Sequence, residues 1–159
     1  MTLRSGTVED LPYIVELERI FRDQGYLGGD EIKVHEQRLA DPDCWYGIVE
    51  TERRRAGYAI LRGLTSPNRS VELKRIAVAE PGRGLGRRLL EAILEKVFDE
   101  LSAHRIWLDV FPHNSRARHV YRSVGFVEEG VLRECVKHGD IYRSLVLMSM
   151  LESEYKRVR

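Results

Sequence analysis

The segment Val71-Glu-Leu-Lys-Arg-Ile-Ala-Val-Ala-Glu-Pro-Gly-Arg-Gly-Leu-Gly-Arg-Arg-Leu-Leu90 changes character halfway along. Its first half is β-rich, and its second half begins the clearest helical pattern in the chain. Between them Gly82, Gly84 and Gly86 form a turn that opens the helix. Glycine removes the Cβ atoms that would keep a ligand away from backbone N–H groups. A helix start carries unpaired N–H donors and about half a positive charge, so a diphosphate is its natural guest. Arg83, Arg87 and Arg88 add formal charge beside it. The plainer alternative is a flexible loop with a solvated basic first turn. A Walker loop is excluded because no Gly-Lys pair occurs in the chain. A Rossmann fingerprint fails too, since its third glycine would fall on Arg87 or Leu89.

Outward from this turn the pattern predicts one α/β domain over residues 1–159. A short strand at Thr2–Ser5 leads to a capping box, Thr7 with Asp10, and a first helix with Leu11, Ile14, Val15, Ile20 and Phe21 at helical spacing. Gly25-Tyr-Leu-Gly-Gly29 breaks that helix, and Asp30 is read as the cap of a second one ending near Ala40. Runs at 44–50 and 57–64 form a hairpin around the charged turn 52–55, and 70–79 is a third β run. Leu85, Leu89, Leu90, Ile93, Leu94, Val97, Phe98 and Leu101 mark one helical stripe. A strand at 105–111, a helix at 115–124 and β runs around 126–136 and 141–151 complete the order β-α-α-β-β-β-α-β-α-β-β.

Composition narrows the function. Lys and Arg number 26 and Asp and Glu 25, for a formal charge of +1. That balance gives no field for nucleic acid or an anionic membrane. No apolar stretch approaches the roughly 20 residues of a membrane helix, and the N-terminal residues lack a signal core. Two cysteines outside any Cys-x-x-Cys pair fit a reduced, cytoplasmic protein. His35, His104, His113, His119 and His138 show no metal-ligand spacing, so no metal is expected. Arg53–Arg55 and the end Lys156-Arg-Val-Arg159 read as a solvated turn and a frayed tail.

Arg75-Ile-Ala-Val78, Gly82-Arg-Gly-Leu-Gly86, Leu108-Asp-Val110 leading to Asn114, and Tyr121-Arg-Ser-Val-Gly-Phe126 together resemble the successive motifs of the GNAT superfamily of acyl-CoA-dependent N-acetyltransferases. Pro81 departs from the family pattern where a basic residue is usual. The short loop after Val78 is similar to that of the branch with ribosomal-protein alanine and polyamine or amino-acid acetyltransferases. The resemblance implies a mixed, mostly antiparallel sheet flanked by helices, with acetyl-CoA as co-substrate. The acceptor would be a small-molecule primary amine or a protein N-terminus, and a homodimer is the partner state common in the family.

What the resemblance implies for single residues is equally definite. Tyr121 matches the general acid that protonates the departing thiolate; the alternative is a core aromatic. Asn114 matches the contact to the pantetheine arm, and it can also cap the following helix. Ile76, Ala77 and Val78 would meet that arm through main-chain groups, with an N–H near Ile76 as oxyanion donor. Backbone N–H groups of Arg83, Gly84, Leu85, Gly86, Arg87 and Arg88 would bind the diphosphate. Glu72 matches the base that takes the amine proton through water, against a solvated strand carboxylate, and Asp109 is a second candidate. Asp23, Gln24, Tyr26 and the Gly28-Gly29 turn would border the acceptor. Direct attack in a ternary complex is the expected mechanism. Rival readings are a CoA-binding module without turnover, transfer of another acyl group or to a protein N-terminus, and a nucleotide-binding regulator.

Overall fold

Strand alternation and helix stripes sort the apolar residues into two layers on one sheet. The computed structural model describes residues 1–26, 28–52 and 54–158. Among them the strands are β1 (Thr2–Ser5), β2 (Cys44–Thr51), β3 (Arg54–Arg62), β4 (Ser70–Val78), β5 (Arg105–Val110), β6 (Val127–His138) and β7 (Ile141–Leu151). The helices are α1 (Leu11–Asp23), α2 (Ile32–Leu39), α3 (Leu85–Glu95), α4 (Ser115–Ser123) and α5 (Glu152–Val158). Strand order is β1-β2-β3-β4-β5-β7-β6. Neighbours are antiparallel except β4 and β5, which run parallel with α3 as their crossover. This is the mixed, mostly antiparallel sheet flanked by helices that the sequence predicts. Leu27, Arg53 and Arg159 of the predicted glycine break, hairpin turn and tail lie outside the described residues.

On one face Val71, Leu73, Ile106 and Leu108 meet the α3 stripe of Leu89, Leu90, Ile93 and Leu94, with Tyr121 and Val124 around α4. On the other, Ile48, Tyr58 and Ile60 meet Leu11, Ile14 and Leu17 of α1. Full burial of each such aliphatic side chain contributes about 1.5–3 kcal/mol. The predicted capping box is present, with the Asp10 carboxylate accepting the Thr7 N–H at 2.9 Å. Asp10 is itself buried and clamped by Arg4 at 2.8 Å and Arg55 at 2.7 Å.

Three local expectations are corrected. Asp30 does not cap α2, which Glu31 precedes; its carboxylate pairs with Arg38 at 3.1 Å instead. The long stripe does not stay α-helical: Lys96–Glu100 is a π turn, closed by the Leu101 N–H to the Lys96 carbonyl at 2.9 Å. The wider turn rotates Leu101 out of the stripe, leaving it 37% exposed. The C-terminal segment is helix α5 rather than a frayed tail. Tyr155 stacks on Phe98 with centroids 4.8 Å apart, and its hydroxyl donates to Asp99 at 2.8 Å. No helix among the described residues is long and apolar enough to cross a membrane.

The α1/α2 face also holds a buried polar network. Glu18, 1% exposed, accepts the Tyr58 hydroxyl at 2.8 Å, the Asp30 N–H at 2.9 Å and His35 Nε2 at 3.1 Å. With Nε2 donating, His35 Nδ1 accepts the Tyr46 hydroxyl at 2.8 Å. Burial alone would raise the Glu18 pKa, but the bonds from His35, Asp30 and Tyr58 outweigh it and hold the carboxyl below its usual value. A depressed carboxyl stabilises the fold above its unfolded pKa, and that share is lost as pH falls through the folded value. Glu18→Gln is therefore expected to lower unfolding stability at pH 7 by about 2–3 kcal/mol. In denaturant titrations the gap from wild type should narrow as the pH drops below the carboxylate range.

Candidate active site

The parallel strands β4 and β5 touch for three rungs only: Ser70 with Arg105, Val71 with Ile106 and Glu72 with Trp107. Just beyond, the β3–β4 register shifts, so that Leu61 faces Leu73 while Ile60 faces Arg75. Lys74 is the extra residue of this bulge, and a bulge bends the strand that carries it. The outer half of β4 therefore parts from β5 and leaves a V-shaped gap.

Alternation decides which main-chain groups line the gap. The Ala79 N–H donates to the Ala56 carbonyl at 2.8 Å, so residue 79 turns its polar groups toward β3. Stepping back by twos along an antiparallel pair, Ala77 and Arg75 do the same, while Val78 and Ile76 point theirs to the open side. Ile76 and Val78 thus offer unpaired N–H and C=O groups where the sequence reading expects them. Ala77 is corrected: its backbone serves the ladder with β3, and its side chain is buried against the α1 face.

At the top of the gap, Gly82 (φ +92°) and Gly84 (φ +73°) hold left-handed backbone that other residues adopt only with strain. Gly84 directly precedes α3. Gly86 is different. It is the second residue of α3, where glycine is a poorer helix former than alanine, by up to about 1 kcal/mol. A Cβ there would meet only Val78 Cγ2, at an ordinary 3.9 Å. Neither packing nor backbone strain accounts for it, whereas a ligand lying on the helix start does. The Arg88 N–H makes the first helical bond, to the Gly84 carbonyl at 3.2 Å. The N–H groups of Leu85, Gly86 and Arg87 precede it and have no acceptor within the helix. The arginine charges are partly spent locally, with Arg83 on Glu80 at 3.0 Å and Arg87 on Glu91 at 2.9 Å. Backbone donors therefore dominate, and Arg88 on the same turn is exposed. This open strand edge, three free donors and an uncrowded glycine fit an extended arm ending in a diphosphate.

Tyr121 stands at the C-terminal part of α4, and its ring packs on Phe126 with centroids 5.8 Å apart. Among the described residues its hydroxyl finds no hydrogen-bond partner. Burial, assisted by the negative charge of Asp109, pushes its pKa well up, so it keeps its proton at neutral pH. Asn114 is the cap of α4, its side chain accepting the Ala117 N–H at 3.3 Å.

The two carboxylates differ. Glu72 is buried at the foot of the gap, held by Arg62 at 2.9 Å with Lys74 at 3.8 Å. One cation stands at each carboxylate oxygen, so both oxygens are already engaged where an amine or its water would have to reach them. Ile106, Leu108 and Val110 face the α3 core, so Asp109 projects to the opposite face, exposed and with no ion pair among the described residues.

Sequence reasoning missed the Glu18 network and what it supports. Arg75, next to Ile76, lies beneath the connection from α1 to α2: its Nε is 3.8 Å from Glu18 and its Nη2 3.9 Å from Asp30. Nothing in the stretch Val15-Glu-Leu-Glu-Arg19 marks one glutamate as buried. Glu18, Asp30 and His35 also bring metal-capable atoms within 4.8 Å of one another, a grouping that spacing did not reveal. Hydrogen bonds to Tyr58 and Tyr46 and the charges of Arg38 and Arg75 already satisfy these groups.

Residues 11–126 match the model of the Acetyltransferase (GNAT) family. The spermidine N(1)-acetyltransferase of Vibrio cholerae is 28% identical over 98% of this chain and 95% of its own length. That of Escherichia coli K12 is 26% identical over 96% of this chain and 87% of its own. An N-alpha-acetyltransferase of Sulfurisphaera tokodaii is 24% identical over 87% of each chain. The crystal structure of the Vibrio cholerae spermidine N-acetyltransferase with CoA and spermine superposes with a TM-score of 0.86, covering 98% of this chain and 97% of that one at 28% identity.

Gly86→Ala separates binding from folding. Its thermal stability should equal or exceed wild type, by up to about 1 kcal/mol of helix propensity. Its affinity for CoA, measured by calorimetry, should fall about tenfold or more, since a methyl group then stands over the free amides. Undiminished affinity would remove the helix start from the binding site.

Proposed function

Because the chain belongs to the GNAT family and transfers acetyl from acetyl-CoA to a primary amine, we propose that its acceptor is a small polyamine-type amine, which attacks the thioester directly in a ternary complex. The observation that carries the mechanism is the pair of unpaired main-chain groups at Ile76 and Val78, set between a free helix start and a buried, protonated tyrosine. The acceptor class rests on two spermidine acetyltransferases that align along nearly the whole chain. A protein N-terminus, the substrate type named for the shorter match from Sulfurisphaera, is the second reading.

Each residue then has a chemical task. The amides of Leu85, Gly86 and Arg87 take the diphosphate, with Arg83, Gly84 and Arg88 shaping that turn. Ile76 and Val78 pair with the pantetheine arm as an added strand would. Asn114, while capping α4, presents its remaining amide donors to the same arm. The Ile76 N–H faces the oxygen that gains charge as the amine adds to the carbonyl. A lysine-like amine has a pKa near 10.4 and must lose a proton to attack. Asp109 takes that proton through water; Glu72, fixed by Arg62, plays the lesser part. The departing thiolate, whose conjugate acid has a pKa near 8.5, takes its proton from the Tyr121 hydroxyl, and the tyrosinate recovers one from the nitrogen that has added to the carbonyl. No step uses a metal, and no acetyl group is carried by the enzyme. We place the reaction in the cytoplasm. Self-association, expected as a homodimer, has support in the dodecameric form described for a Vibrio cholerae relative.

Thiol release measured with acetyl-CoA and spermidine, amino acids or N-terminal peptides tests the acceptor; turnover confined to the peptides would reverse the order of the two readings. Tyr121→Phe should lower kcat about 10²–10⁴-fold with little change in the KM for acetyl-CoA. An unchanged kcat would strip Tyr121 of its role. Asp109→Asn should lower kcat/KM more than Glu72→Gln, and the opposite order would return the base to Glu72.

A further inference from the structure

The connection between α1 and α2 reaches across the mouth of the β4–β5 gap and is fastened on both banks. On the β4 side the Asp30 N–H bonds Glu18 and its carboxylate approaches Arg75. Gly28 lies so close over that guanidinium that a Cβ would sit 3.2 Å from Nη2. On the β5 side, His113, three residues past the end of β5, donates from Nε2 to the Gly25 carbonyl at 2.9 Å. Its ring stacks between Tyr26, 5.8 Å away, and Phe111, 5.5 Å away. The joined segments are 88 residues apart in the chain.

This contact lies outside both hydrophobic clusters, and Tyr26 is 42% exposed. An exposed hydrogen bond of this kind adds only about 0.5–1.5 kcal/mol to a fold. What it does is place one wall of the gap. The wall stands on the α1/α2 face, the side on which Asp109 projects, so an amine approaching Asp109 passes beneath it.

We infer that His113 is a positioning residue for the acceptor amine: by holding Gly25 and Tyr26 across the gap, it sets the outer wall of the acceptor pocket. The inference rests on the acetyl-transfer reading and adds to it a residue that acts through the connection rather than on the reacting atoms. Its effect belongs to acceptor binding, because it acts through the connection, whereas the proposed acetyl-CoA contacts lie on the β4 edge, the α3 start and Asn114, which its own bond to the Ala117 N–H holds in place.

Three variants test it with spermidine as probe. His113→Ala loses both hydrogen bond and ring. His113→Gln restores an amide donor for the Gly25 carbonyl. His113→Phe restores only the stacking. His113→Ala should raise the spermidine KM about tenfold, with acetyl-CoA KM and kcat within about twofold of wild type. His113→Gln should recover most of that loss and His113→Phe little of it. Independently of turnover, chymotryptic cleavage after Tyr26, followed by mass spectrometry, should accelerate in His113→Ala and return toward wild type in His113→Gln. An unmoved spermidine KM, an equal rise in both KM values, or unchanged cleavage at Tyr26 would each overturn the inference. Because cleavage is read without turnover, it still decides whether His113 holds the connection if spermidine proves not to be the acceptor.

Discussion

A strand that loses its neighbour keeps its hydrogen-bonding groups, and the molecule is organised around one such loss. Past Glu72 and Trp107 the outer half of β4 is paired on one edge only. Main-chain donors and acceptors left without protein partners need water or a ligand. The bulge at Lys74 turns that requirement into specificity, because it makes the break in the ladder sharp and leaves alternate residues, Ile76 and Val78, facing outward at fixed intervals. On the proposed reading a substrate arm with amide groups of its own completes this edge through main-chain pairing.

The two faces of the sheet divide the remaining work. The α3 face is apolar, and its helix start supplies donors. The α1 face carries charge deep inside, with Glu18 and His35 almost inaccessible and tied to tyrosines on β2 and β3. Removing one member of such a network leaves others unsatisfied, so it resists piecemeal change. That rigidity has a use: it fixes Arg75 and Asp30, and through them one end of the connection across the gap. The same face shows the contrast between the two carboxylates. Arg62 keeps the Glu72 carboxylate occupied, whereas Asp109, on the neighbouring strand, has no ion pair among the described residues.

Much of this was legible beforehand, for identifiable reasons. Period 2 and period 3.6 signals were strong from Cys44 through Val124, so most strands and helices there were placed within a residue or two; β3, which already begins at Arg54 inside the expected turn, and the stripe after Glu95 are the exceptions. The glycine turn was legible because three glycines before an apolar stripe have few other uses. Ala77 was misjudged because a motif does not reveal which way alternate peptide groups point; that depends on register with β3, set by residues about twenty positions away. Asp30 carries a capping residue's chemistry, but Arg38 competes for it and wins. The Glu18 network was invisible because its members come from five elements and the connection between two of them, and no one of these carries a pattern that marks a buried charge. Helix α5 was missed because its short, charged stretch gains order from Tyr155, which stacks on Phe98 and bonds Asp99, both distant in the chain.

β5 is gripped unequally. It shares three rungs with β4 and six with β7, the last strand of the chain. The position of β5, and with it the width of the gap, is thus set chiefly by β7 rather than by the strand it faces across the gap. The glycine turn, Tyr121 and the two carboxylates all lie on other elements, so the ruler is separate from the groups it spaces. Order at the site is therefore a property of long-range closure in a topology of high contact order rather than of any one segment.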